Sequence, residues 1–139
     1  MIAKIVVGTD GFGPAGRAVA RAAEIAAANE AELIVVAAYP PGHTTGVGLP
    51  EADRPHGIDV AEGSLRTTRS RLGADIALKT IAREGEPAEA LLDVAEEEGA
   101  DLIVVGSVGM SKRLPLGVVP NRVSHHAGCH VLIVKTEEG

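Results

Sequence analysis

Residues 100–134 read ADLIVVGSVGMSKRLPLGVVPNRVSHHAGCHVLIV, and the order of chemistries in that stretch specifies a strand–loop–helix–strand unit. An apolar run at 102–105 ends in Gly106-Ser107-Val108-Gly109, passes through a short basic loop to Gly117, and continues into a helix-like stretch and a second apolar run, 130–134. That is strand, glycine loop, helix, strand. In a parallel sheet the carboxyl end of a strand and the amino end of the next helix meet at one edge, where backbone N–H groups and the helix dipole hold an anion. The segment predicts a site for a phosphate-bearing ligand.

Working outward, residues 2–7 form a short β-rich run closed by Gly8-Thr9-Asp10-Gly11. From Pro14 the period is helical, with Ala18, Ala22, Ile25 and Ala26 on one face and Arg17, Arg21 and Glu24 on another. Residues 33–38 are too continuously apolar for a half-exposed strand and read as one buried on both faces. A long loop without clear period follows to about residue 59, then a helix over 60–72 with an arginine-rich face and a third strand over 76–82. Gly85-Glu86-Pro87 opens a helix whose Leu91, Val94 and Ala95 face inward and whose Glu89, Asp93, Glu96 and Glu97 face solvent, with Gly99 at its C-cap. Strands alternate with helices throughout, so the expected fold class is α/β: one doubly wound, Rossmann-like domain over residues 1–139, with five parallel strands and helices on both faces.

The composition sets bounds on function. A chain of 139 residues buries about 68% of its unfolded surface around a single core. Aromatic residues are 1% and the net charge is −6, which argues against a nucleic-acid surface, since Phe12 and Tyr39 alone make no stacking platform. The one cysteine, Cys129, allows no intrachain disulfide and no cysteine-rich zinc site. The longest uncharged stretch, 33–50, is interrupted by prolines and glycines from residue 40 onward, so no membrane span is expected and a cytoplasmic location is.

Gly11-Phe-Gly13-Pro-Ala-Gly16 formally matches the dinucleotide fingerprint G-x-G-x-x-G. That reading needs an acidic residue after the second strand to hold a ribose, and residues 36–41 contain none. Pro14 also removes an N–H donor. A flexible turn accounts better for these glycines. Asp10, at the end of the first strand, keeps two readings: a ligand-facing carboxylate in the crevice, or a cap for the next helix.

Taken together, Val6-Val-Gly-Thr-Asp-Gly11, Gly85-Glu-Pro-Ala88, Ala100-Asp-Leu-Ile-Val-Val-Gly106, Gly106-x-x-Gly109 with Gly117-Val-Val-Pro-Asn121, and His130-Val-Leu-Ile-Val134 resemble the universal stress protein family. The resemblance covers essentially the whole chain. It implies strand order 3-2-1-4-5, a homodimer through the last strand, His130–Val134, and an adenine nucleotide (ATP, AMP or cyclic AMP), with Mg2+ as the companion of ATP. Carried over by position, Thr9 and Asp10 lie near the adenosine, Ala38 meets the adenine through its backbone, and Gly106, Ser107, Gly109, Gly117, Val118 and Val119 surround the phosphates. Ser111, Lys112 and Arg113 are further phosphate contacts, or else a solvated basic loop.

The chain also departs from that pattern. The family places nine residues between the second and third glycines and a Ser or Thr after the third, whereas seven separate Gly109 from Gly117 and Val118 stands at the hydroxyl position. A hydrogen bond lost to a charged phosphate costs about 1.5–3 kcal/mol, or about ten- to a hundredfold in affinity. Three functions therefore stand beside one another: a regulatory nucleotide binder without efficient catalysis, a dimeric interaction module for an unknown client protein that has lost the nucleotide, and a slow ATPase with Asp10 near a metal-bound phosphate. His43, His56, His125, His126 and His130 lack recognised metal-ligand spacing, and the tandem pair suits a helix C-terminus. Cys129 reads as an inert thiol.

Overall fold

The structure, a computed structural model, describes residues 1–9, 13–41, 57–107 and 117–135. Five strands, β1 (Lys4–Gly8), β2 (Glu32–Tyr39), β3 (Ala77–Glu84), β4 (Leu102–Gly106) and β5 (His130–Val134), form one sheet in the order β3-β2-β1-β4-β5. All four pairings are parallel. Both the architecture and the strand order agree with the sequence expectation.

Alternation along the central strands explains the two layers of helices. Ile5, Val7, Leu33, Val35, Leu102 and Val104 turn to one face, where helices α1 (Gly13–Asn29) and α2 (Gly57–Leu72) cover them. Val6, Ile34, Val36, Ile103 and Val105 turn to the other, under α3 (Pro87–Glu98) and α4 (Val118–His126). Residues 33–37 are each at most 2% exposed, as a strand covered on both faces must be. Ala18, Ala22 and Ala26 line the inner side of α1, and side chains this small let the helix sit close to the sheet.

Several boundaries differ from the sequence reading, β2 among them at Glu32–Tyr39 rather than 33–38. β1 runs Lys4–Gly8 rather than 2–7, because its register against β2 begins at the pair Lys4 and Glu32. α2 starts at Gly57 rather than 60: Asp59 sits in its first turn, where the helix dipole favours it, although the polar composition there reads as loop. β3 reaches Glu84 rather than stopping at 82, since β2 extends to Tyr39 and templates the pairs Ala38 with Arg83 and Tyr39 with Glu84. Arg83 and Lys79 then anchor this edge strand to α3 through Glu97 at 2.5 Å and Glu98 at 2.8 Å.

Gly85 leaves β3 at φ 132°, a backbone conformation that L side chains rarely adopt, and its N–H donates to the Tyr39 carbonyl at 2.8 Å. Gly99 caps α3 in the left-handed conformation, φ 67°, as its position implies.

At the amino end of the sheet Asp101 accepts the backbone N–H groups of Ala3 at 2.9 Å and Lys4 at 3.1 Å. These bonds, the one from Ala3 foremost, hold its carboxyl below the ordinary carboxylate range. A group whose folded pKa is depressed stabilises the fold above its unfolded pKa and stops doing so as pH falls through the folded value. Asp101→Ala is therefore expected to lower the melting temperature at neutral pH, and the gap to the parent should narrow below about pH 4. Paired thermal melts across that range check both statements.

Candidate functional site

The crevice lies where the order of strands reverses, between β1 and β4, because the connections leaving those two strands cover opposite faces of the sheet. Three strand ends meet at this edge. Thr9 continues β1, its N–H donating to the Val36 carbonyl at 2.9 Å. Ala38 stands near the end of β2. Gly106 ends β4, and Ser107, 8% exposed, follows it with its N–H donating to the Val134 carbonyl at 2.8 Å.

Gly117 returns the chain to this edge. Its N–H donates to the Ser107 carbonyl at 3.0 Å, so the two ends of the intervening arm are fastened to each other. Asn121 N–H closes the first turn of α4 on the Gly117 carbonyl at 3.1 Å. Within that turn Pro120 has no N–H, which leaves Val118 and Val119 as the donors without an intrahelical acceptor. Val118 projects its side chain outward at 58% exposure, whereas Val119 packs toward the core beneath α4. Val118 and Val119 thus offer a peptide-group cradle aided by the helix dipole, but no hydroxyl.

The structure brings Thr9, Ala38, Gly106, Ser107, Gly117, Val118 and Val119 to one edge of the sheet. Asp10, Gly109, Ser111, Lys112 and Arg113 lie outside the described residues. His125 and His126 occupy the last turn of α4, the dipole-favoured place expected for them, and His130 opens β5. Among the described residues no three His, Cys, Asp or Glu side chains gather into a metal-ligand group. Cys129 is half-buried, and burial pushes its thiol pKa up, with the Asp101 charge adding to the effect, so the sulfur is held as a poor nucleophile.

Two supporting residues escaped the sequence reading. Thr68 is 5% exposed on α2, and its hydroxyl lies 3.4 Å from that of Thr9, joining the helix to the end of β1. The available signal was a polar residue in the buried stripe formed by Gly57, Ala61 and Leu65. Arg122 reaches from α4 to Glu86 at 2.8 Å and Glu89 at 3.3 Å, tying α4 to the start of α3. Separations of 36 and 33 residues hide those pairs from any local pattern.

Among the described residues no helix is long and apolar enough to cross a membrane. The family model of the universal stress proteins matches residues 1–135. Universal stress protein Rv1636 of Mycobacterium tuberculosis is 41% identical, with 95% of each chain covered. Universal stress protein YxiE of Bacillus subtilis is 32% identical over 97% of this chain and 100% of its own. Among solved structures, a universal stress protein in complex with cAMP is similar at TM-score 0.73 and 35% identity, covering 98% of this chain and 99% of that one. With the β1–β4 crevice, the glycine-flanked arm and a match along nearly its whole length, the chain belongs to the universal stress protein family.

Proposed function

We propose that the protein is a cytoplasmic stress-response regulator that binds an adenine nucleotide in the β1–β4 crevice without efficient catalysis, and that it works as a homodimer through β5. The observation that carries this reading is the convergence of Thr9, Ala38, Gly106 and the Val118 and Val119 N–H groups on one sheet edge. The cAMP complex of a relative with 35% identity supports the choice of ligand. β5 is a margin of the sheet, paired on one side with β4, and its half-buried Val131, Leu132, Ile133 and Val134 suit a second copy.

Calorimetry of the purified protein with ATP, AMP and cyclic AMP, ATP being run with and without Mg2+, is expected to give saturable heat, and sedimentation at the same concentration a dimer mass. Absence of heat at millimolar ligand rejects the nucleotide reading. Replacing Val118 by serine restores the hydroxyl and is expected to tighten binding by about ten- to a hundredfold.

One feature favours a second reading, a dimeric interaction module without nucleotide. With Gly117 N–H engaged by Ser107 and Pro120 lacking one, α4 presents two donors and an exposed valine. Under that reading the parent is silent in calorimetry, and binding emerges only when Val118→Ser is combined with two residues inserted in the arm.

A further inference from the structure

A second basic feature lies away from the crevice, on the face covered by α2. There Glu62, Leu65, Arg66 and Arg69 of α2 and Thr80 and Ala82 of β3 line an open groove of about 300 Å³. None of them belongs to the crevice just described. Buried Leu65 and half-buried Ala82 form an apolar floor. Arg66 and Arg69, three residues apart on one helix, are surface neighbours, an arrangement unfavourable for like charges in isolation.

Their surroundings distinguish these two arginines from others. Arg21, Arg83 and Arg122 are held by Glu24, by Glu97 with Asp93, and by Glu86 with Glu89. Among the described residues no carboxylate comes within ion-pair distance of Arg66 or Arg69, although Glu62 stands one turn before Arg66 at favourable spacing. Arg69 donates instead to the Thr80 hydroxyl at 3.3 Å, an acceptor role that leaves the hydroxyl proton available to the groove. Two unneutralised guanidinium forks and a hydroxyl beside an apolar floor, on a chain of net charge −6, form a local anion receptor.

We propose that this groove binds an organic phosphate monoester, with Arg66 and Arg69 taking the phosphate and Leu65 and Ala82 the apolar part of the ester. A phosphate dianion supplies enough terminal oxygens for both planar forks and balances two charges, which a single carboxylate does not. Glu62, on the same wall, repels a second anionic group and so selects a ligand with one charged end. The proposal does not depend on nucleotide binding in the crevice.

Amide NMR titration of the full chain with phenyl phosphate reads the site directly, with inorganic phosphate and benzoate as separate arms. Saturable shifts are expected at Arg66, Arg69, Thr80 and Ala82, whether or not Gly106 and Gly117 also move. The double variant Arg66→Gln, Arg69→Gln, both exposed and without a core role, should keep the parent's spectrum elsewhere and bind about tenfold more weakly or less. The proposal is overturned if those four amides fail to saturate, or if the double variant titrates like the parent. It also falls if benzoate binds as well as phenyl phosphate, which removes the phosphate, or if inorganic phosphate does, which removes the apolar floor.

Discussion

Replacing Ile103 by alanine is expected to lower the unfolding free energy by about 2–5 kcal/mol, against a total of about 5–15 kcal/mol for a domain of this kind. Ile103 is fully buried in β4, paired with Val6 of β1 and Val131 of β5, and faces the cluster under α3 and α4. Truncation leaves a cavity walled by strands on both sides, and a strand locked into two ladders collapses poorly around it. Urea titration followed by circular dichroism gives the value. Val131→Ala, in the half-buried edge strand of the same layer, should cost less. Equal losses at the two positions would show that the margin of the sheet is packed as tightly as its centre.

The second large effect is expected at Gly117. Its φ of −67° is already the angle that proline imposes, so Gly117→Pro chiefly deletes the N–H that donates to the Ser107 carbonyl. Ser107 is buried, and losing one backbone hydrogen bond to it costs about 0.5–1.5 kcal/mol. Adenine nucleotide affinity should fall by about tenfold or more, because the arm's two ends lose their mutual fastening and the head of α4 loses its place. Gly117→Ala keeps the N–H and controls for the added carbon. Calorimetry on both variants separates the contributions, and equal affinity in the parent and the proline variant would remove Ser107 from the construction of the site.

Much of this architecture is legible in one dimension, for identifiable reasons. Runs 33–38 and 102–105 are strands because a doubly covered strand must be apolar without interruption, while the half-buried margin 130–134 is apolar only after His130. The alanines of α1 and the glycine after α3 follow from helix periodicity and capping. Strand order is different: alternating strands and helices announce a parallel sheet, while the order 3-2-1-4-5 entered through the family resemblance. Arg83 and Glu84 carry no strand signal, since it is β2 that recruits them. In the crevice, glycines mark Gly106 and Gly117, but no pattern reports that Ser107 joins them, or that Thr68 meets Thr9 across 59 residues of sequence. Backbone bonds and contacts between distant helices leave little trace in composition.

Ser107 uses both of its peptide groups, one toward the last strand and one toward the last helix. Any ligand that draws the head of α4 toward itself pulls on the Ser107 carbonyl, and through the same residue on the amide that grips Val134. The margin of the sheet and the mouth of the crevice thereby meet at Ser107. Two hydrogen bonds and one residue of chain span the distance between them.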